Sequence, residues 1–328
     1  MAEHNIRNIG VLTSGGDSPG MNACVRAVVR TAIYHGINAY GIMHGYQGMV
    51  DGDIKQLYNR DVSNILQRGG TILKTARSKE FRTEAGMKKA FDNLQKHEID
   101  AFVVVGGDGS CRGAFEFHKR FNIPSMATPG TIDNDLAGTD FTIGFDTAIN
   151  TAVDAIDKIR DTADSHDRLF IVEVMGRDAG YIALHSGLAC GAENILIPER
   201  RETMQEVVAR IADNTKRKKL MSIIVVAEGD EIGGANHVDK YLKEYFPNLD
   251  SRISILGHIQ RGGSPSCADR ILASRTGYAA VNRLLSGKYG EMVGVVNNEI
   301  AYTPYEQVVK LKQPIKEDLV EMIKVLSS

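Results

Sequence analysis

Short runs of branched apolar residues alternate along the chain with stretches whose apolar positions recur every three or four residues. Residues 9–12 read as a strand that runs into the turn Thr13-Ser14-Gly15-Gly16-Asp17. A helix follows, with Met21, Val25, Val28, Val29 and Ala32 on one face and Gly36 just past its end. Residues 101–105 are apolar throughout and are bounded by Gly106-Gly107, which suits a strand buried on both faces of a parallel sheet. Ile149, Ala152, Val153, Ile156 and Ile159 form another helical stripe. Residues 169–174, 222–227, 252–256 and 292–296 read as further strands, separated by helical stretches such as 268–285. This alternation predicts an α/β protein with parallel sheets, whose ligands gather at the carboxyl ends of strands.

The 328 residues suggest about two domains, enough to bury two cores. The balance of 39 Lys and Arg against 41 Asp and Glu makes the chain a poor nucleic-acid binder as a whole. The densest charge cluster, Lys216-Arg217-Lys218-Lys219, reads as a solvated helix end. No run approaches the roughly 18 uninterrupted apolar residues of a membrane span, so no membrane association is expected. The first residues, Met1-Ala2-Glu3-His4-Asn5, lack the basic and apolar regions of a signal peptide. Cys24, Cys111, Cys190 and Cys267 lie far apart with no CxxC pair, which fits a reducing cytoplasm rather than a disulfide or zinc scaffold.

Two Gly-rich strand-to-helix turns carry the first chemical signal: Ser14-Gly15-Gly16-Asp17 and Gly106-Gly107-Asp108-Gly109-Ser110. Glycine lets backbone N–H groups approach an anion closely, and the following helix adds its positive end. One such turn can be a mere tight bend. Two, each with an Asp, point to a phosphate site with a metal-holding carboxylate. Neither is a Walker loop, since no Gly-Lys-Ser/Thr follows, and Arg112 stands where GxGxxG needs its last glycine. A third segment, Pro129-Gly130-Thr131-Ile132-Asp133-Asn134-Asp135, is ordinary turn chemistry on its own. Beside phosphate-type loops, one of its carboxylates becomes a candidate general base. Arg77, Arg168, Arg177, Arg252 and Arg261 stand in polar or Gly-rich settings that suit phosphate clamps. His258 suits either a sugar oxygen or a buried backbone carbonyl.

Taken together, in this order and spacing, these segments with Met175-Gly176-Arg177 and the stretch 257–265 resemble the bacterial ATP-dependent 6-phosphofructokinases, from Gly10 to beyond Arg275. The resemblance implies two Rossmann-like three-layer α/β domains with mainly parallel sheets and the active site in the cleft between them. The ATP domain would comprise 1–143 plus 259–305, and the fructose 6-phosphate domain 144–258 plus 306–328. Gly16, Tyr46, Arg77, Ser78, Gly107, Asp108, Gly109 and Ser110 would bind ATP, with Asp108 serving Mg²⁺. Asp133 would take the proton of the sugar 1-hydroxyl, with Thr131, Asp135 and Arg177 as its catalytic neighbours. Ile132, Met175, Gly176, Glu228, His258, Ile259, Gln260 and Arg261 would complete the sugar-phosphate site. Arg168 and Arg252 match positions that reach across from a neighbouring subunit, so a homotetramer is expected.

The resemblance also implies an effector site for ADP, GDP or phosphoenolpyruvate at Arg26, Arg30, Arg160, Gly191, Glu193, Arg217 and Lys219. Arg26 and Arg30 are one helical turn apart, which by itself describes a solvated helix face equally well. Three positions depart from the family: Asn59 and Leu220 where basic residues occur, and Ser78 where an aromatic flanks the adenine. Pyrophosphate-using members typically carry Asp at position 109 and Lys at 130; Gly109 and Gly130 here both favour ATP. An NAD or lipid kinase with a Gly-Gly-Asp-Gly turn would not be expected to carry segments 129–135 and 257–265. A non-catalytic sensor would be expected to have lost a carboxylate or a clamp.

Overall fold

The computed structural model describes residues 6–164, 168–200, 203–216, 222–230 and 233–326. They form two α/β units. Unit 1 runs up to Ile132 and adds Leu136–Thr147 and Arg261–Gln313; unit 2 holds Asp133–Asp135, Ala148–Gln260 and the chain from Pro314 on. The crossings at 147, 260 and 313 each fall later than the 143, 258 and 305 implied by resemblance. Two contacts account for most of this. The first turn of the helix from Phe145 is held by Asp269 of unit 1. Tyr305, which donates to Ser125 Oγ at 3.3 Å, keeps the short helix Tyr305–Val308 with unit 1.

Unit 1 is built on a seven-stranded sheet. Its strands are β1 (Asn8–Ser14), β2 (Asn38–Ile42), β3 (Ile54–Leu57), β4 (Ala101–Gly106), β5 (Ser125–Pro129), β10 (Glu291–Val296) and β11 (Glu299–Pro304). The order is β11-β10-β5-β4-β1-β2-β3, with only the edge strands β3 and β11 antiparallel to their neighbours. Alternation along the central strands divides the core. Ile9, Val11, Val103 and Val105 face one side and pack with α1 (Met21–Tyr34) and α9 (Cys267–Leu285). Leu12, Phe102 and Val104 face the other, with residues of α2 (Gly45–Asp51), α3 (Glu84–Lys96) and α4 (Asp108–Phe121). Period-2 side chains with both faces buried give the three layers.

Unit 2 repeats the plan on four parallel strands in the order β7-β8-β6-β9. These are β6 (Leu169–Val174), β7 (Asn194–Leu196), β8 (Ser222–Ala227) and β9 (Ser251–Ile255). Leu169, Ile171, Ile224 and Val226 meet Val207, Ile211, Val238 and Leu242 of α7 (Met204–Lys216) and α8 (Gly234–Tyr245), and α6 (Tyr181–Ala189) lies against β6, β7 and β8. α5 (Phe145–Asp164) carries the chain from one unit to the other. In the seven-stranded sheet the direction of progression reverses at β1/β4, and such switch points are where α/β sheets bind ligands. No helix among the described residues is long and apolar enough to cross a membrane.

Candidate functional site

Strand register aligns the three segments singled out in the first half of the sequence. Ser14 pairs with Gly106, and Gly106 with Pro129, so the ends of β1, β4 and β5 stand on one rung. Close approach of these ends requires glycine. A Cβ on Gly106 would lie 2.6 Å from both Ser14 O and Ser110 Cβ. Gly15 has φ +88°, a conformation open to glycine at little cost. A Cβ on Gly16 would come 2.7 Å from Arg261 Nη1, because that guanidinium lies over the turn and donates to Asp17 O at 3.2 Å.

α4 starts at Asp108, directly after the second turn, so its positive end faces the rung. Nothing lies within 4 Å of the Cβ position of Gly109, whereas a Cβ on Gly107 would already touch Thr131 Cβ at 3.3 Å. Asp108 is half exposed, with Arg112 one turn along at 3.6 Å. Ser110 is buried. Arg77 is exposed, and Ser78 Oγ donates to Gln47 Oε1 at 2.7 Å while accepting from Phe81 N. Tyr46, expected among the ATP-binding residues, packs inside unit 1. Its ring is buried, stacked on Phe81 at 4.2 Å, and its hydroxyl donates to Ser110 O at 2.6 Å. Burial holds this phenol well above its usual pKa. Tyr46 therefore braces the first turn of α4.

Past β5 the chain is held from several directions. Gly130 N donates to Gly106 O at 3.0 Å, Ile143 N to Pro129 O at 2.7 Å, and Thr142 Oγ1 to Thr131 O at 2.6 Å. A side chain on Gly130 has no space, since its Cβ would be 2.9 Å from Val105 Cγ1 and 3.1 Å from Gly106 N. Thr131, Ile132, Asp133 and Asn134 are buried and Asp135 partly so. Asn134 turns the chain with φ +53°. By its contacts the tripeptide Asp133–Asp135 belongs to unit 2.

In unit 2 the expected residues again sit at strand ends. Met175, Gly176 and Arg177 follow β6, Glu228 follows β8, and the 3₁₀ turn Gly257–Arg261 follows β9. Arg177 Nη2 lies 3.7 Å from Asp133 Oδ2. Its backbone is left-handed at φ +54°, which for a non-glycine costs on the order of 1–3 kcal/mol. Glu228 Oε1 offsets part of that cost by accepting from Arg177 N at 2.8 Å. Gly229 is obliged to be glycine, as a Cβ there would come 3.1 Å from Asp178 Cα. His258 and Ile259 are exposed. Gln260, expected in the sugar-phosphate site, is fully buried, and its Oε1 accepts from Met175 N at 2.9 Å, so it joins two loops. Gln260 and Arg261 are consecutive, yet one grips the β6 end in unit 2 and the other the first Gly-rich turn in unit 1.

Arg168 Nε donates to Asp250 Oδ2 at 2.6 Å and Arg252 Nη1 to Asp250 Oδ1 at 2.5 Å. The Arg168 hydrogen bond is the main reason that this exposed carboxyl lies below its usual pKa. Sequence spacing does not reveal Asp250, one carboxylate that tethers two arginines 84 residues apart (252 − 168).

The effector residues fall into two sets. Arg26 and Arg30 lie on α1 in unit 1, and partial burial, then the charge of Arg30, lowers the Arg26 pKa. Arg160, Gly191 and Glu193 lie in unit 2. There Arg160 Nη2 donates to Cys190 O, and buried Glu193 accepts from Ile223 N at 2.7 Å. Arg217, Lys219 and Leu220 lie outside the described residues.

The phosphofructokinase family model matches residues 8–284. Over 322 residues, 98% of this chain and 99% of the relative, the chain is 52% identical to ATP-dependent 6-phosphofructokinase 2 of Bacteroides thetaiotaomicron. It is 53% identical to the ATP-dependent 6-phosphofructokinase of Bacillus subtilis, covering 98% of this chain and 100% of that one. Phosphofructokinase from Saccharomyces cerevisiae superposes with a TM-score of 0.88 at 37% identity, over 98% of this chain and 47% of the yeast chain. The chain thus spans about half the yeast protein's length. A pyrophosphate-dependent phosphofructokinase from Marinobacter aquaeolei has a TM-score of 0.84 at 24% identity, over 98% of this chain and 92% of that one, a likeness of fold.

Proposed function

Because the chain belongs to the phosphofructokinase family, we propose that it transfers the γ-phosphoryl group of ATP to the 1-hydroxyl of fructose 6-phosphate. The observation that carries this reading is the buried Asp133 carboxylate, with Arg177 3.7 Å away in a strained turn pinned by Glu228. In the step, the sugar O1–H bond breaks and its proton passes to Asp133. The O1–Pγ bond forms as the bond from Pγ to the β–γ bridging oxygen breaks, and ADP leaves. Phosphoryl transfer asks a protein chiefly for position and charge neutralisation. Gly16 after β1 and Gly107–Ser110 at the start of α4 would receive the nucleotide phosphates, and Arg177, His258 and Arg261 the sugar phosphate. Thr131 and Asp135 would flank the base.

Magnesium fits this arrangement. Among the described residues no group of three His, Cys, Asp or Glu side chains is placed to hold a metal, but Asp108 is accessible beside the open space at Gly109. One carboxylate suits an ion held mainly by phosphates and water. Bound there, it would neutralise charge on the transferring group.

Gly109 and Gly130 support ATP over pyrophosphate: the first leaves room beside the phosphates, and the second has no space for a lysine. The homotetramer, with Arg168 and Arg252 completing a neighbour's site, rests on resemblance, as do effector binding at Arg26, Arg30, Arg160, Gly191, Glu193, Arg217 and Lys219 and the cytoplasmic location. A coupled assay for fructose 1,6-bisphosphate, with Mg²⁺ and either ATP or pyrophosphate, tests the reading. Turnover with ATP alone is expected. Turnover with pyrophosphate refutes the donor assignment, and no turnover with either refutes the activity.

A further inference from the structure

α9 begins with Ser266-Cys267-Ala268-Asp269, the sequence pattern of a capping box. Half of that motif forms: Ser266 Oγ accepts from Asp269 N at 3.2 Å. In the usual reciprocal half the carboxylate reaches back to the cap residue's own N–H. Here Ser266 N instead donates to Thr147 Oγ1 at 2.9 Å. The Asp269 carboxylate is buried and turned to the first turn of α5. Its Oδ1 accepts from Gly144 N at 2.8 Å, and its Oδ2 from Thr147 N at 2.8 Å and Thr147 Oγ1 at 2.5 Å. Burial raises its pKa, and the hydrogen bonds from Thr147 and Gly144 oppose the rise.

A carboxylate recruited away from local capping, 122 residues along the chain from Thr147, serves something beyond its own helix. What it clamps is the segment 142–147. That segment in turn holds the end of β5 through Ile143 N to Pro129 O and Thr142 Oγ1 to Thr131 O. Gly144, at φ +104°, closes against Ser18, whose Cβ would lie 2.6 Å from a Cβ at 144, so the segment has little room to shift. Thr131 lies two residues before Asp133, and Thr147 is the last residue of unit 1 on α5.

We propose that Asp269 is a positioning residue for the reaction: through Gly144 and Thr147 it fixes the segment that holds Pro129 and Thr131, and thereby sets where Asp133 stands. The inference rests on the proposed function for its catalytic readout but not for its structural one. Thr147 supplies both a donor to Asp269 and an acceptor for Ser266, so Thr147→Val removes two links of the clamp while nearly preserving shape. Thr147→Ser keeps both.

The test compares wild type, Thr147→Val, Thr147→Ser and Asp269→Asn in the full chain, by kinetics and by amide hydrogen exchange. A misplaced catalytic group costs rate steeply, about a hundredfold for 1 Å. Thr147→Val is therefore expected to lower kcat about 10- to 100-fold with both KM values within about twofold, and to speed exchange in residues 129–135. Thr147→Ser should restore both. Asp269→Asn places an NH₂ against an N–H donor and should behave like Thr147→Val, unless it fails to fold, in which case the threonine pair decides. Unchanged kcat in Thr147→Val, or unchanged exchange at 129–135, overturns the proposal, even if the melting temperature falls. A wild type inactive with fructose 6-phosphate refutes the proposed activity instead, and exchange at 129–135 still decides the clamp.

Discussion

Gly109→Asp puts a charge where the nucleotide phosphates are proposed to pass, at a position with space to accept it. Nothing lies within 4 Å of the added Cβ, so no packing is lost. An acidic residue in the first turn of α4 is favourable to the helix by about 0.3–1 kcal/mol, a gain that charge repulsion from Asp108 in the same turn opposes. Stability should thus hold within about 0.5 kcal/mol, a shift of roughly 2 °C or less for a chain of this size. Binding of the nucleotide should not hold. At an effective dielectric of about 20, a carboxylate about 7 Å from a phosphate charge repels it by roughly 2 kcal/mol, or about thirtyfold in affinity. The assay is KM for ATP at saturating fructose 6-phosphate, measured at low and high ionic strength alongside thermal melting. A rise of about 10- to 100-fold that shrinks with added salt is expected. An unchanged KM for ATP with unchanged melting would mean that the phosphates do not pass the start of α4, and the nucleotide half would have to be sought elsewhere.

Asp133→Ser should lower kcat at least about 100-fold with KM values changed far less, as expected of a general base; steady-state kinetics that leave kcat intact would remove Asp133 from the mechanism. Tyr46→Phe removes the phenol's hydrogen bond to Ser110 O, which keeps its helical partner in α4, and should cost about 0.5–1.5 kcal/mol in denaturant melts, with KM for ATP raised severalfold; unchanged stability would deny the bracing role. Burial lifts the Cys24 and Cys190 thiols to about 11, so at pH 8 only about one in a thousand of either is thiolate. Exposed Cys267 should therefore be the one cysteine alkylated rapidly in the native protein, with all four reacting after denaturation; rapid native labelling of Cys24, read by peptide mass mapping, would contradict its placement.

Much of this architecture is legible in the sequence because it rests on local patterns. The unbroken apolar run of β4, the stripe on α1 and the glycines that punctuate β1 and β4 each state their own environment, and strand register then brings their ends together. The edge strands are not legible. β3, Ile-Lys-Gln-Leu, is partly solvated and short, and pairs antiparallel only because β2 offers it an edge. Side-chain direction is not legible either. Tyr46 and Gln260 are polar residues in loop-bearing segments, and only tertiary packing shows that one grips Ser110 O and the other Met175 N. Asp269 misleads in a more instructive way, since its spacing from Ser266 describes a local cap and its carboxylate makes a distant one.

The rung formed by Ser14, Gly106 and Pro129 also bears on how activity arises during folding. Ninety-two positions of chain separate the first two of these residues (106 − 14), and β4 must zip between β1 and β5 before any of the three turns has its neighbours. No helix or hairpin made early in synthesis can display even a weak version of this site. Pairings so distant along the chain form late and slowly. The onset of nucleotide binding in a refolding experiment should therefore coincide with completion of the central sheet of unit 1, which would make the ligand a reporter of non-local closure and not of collapse.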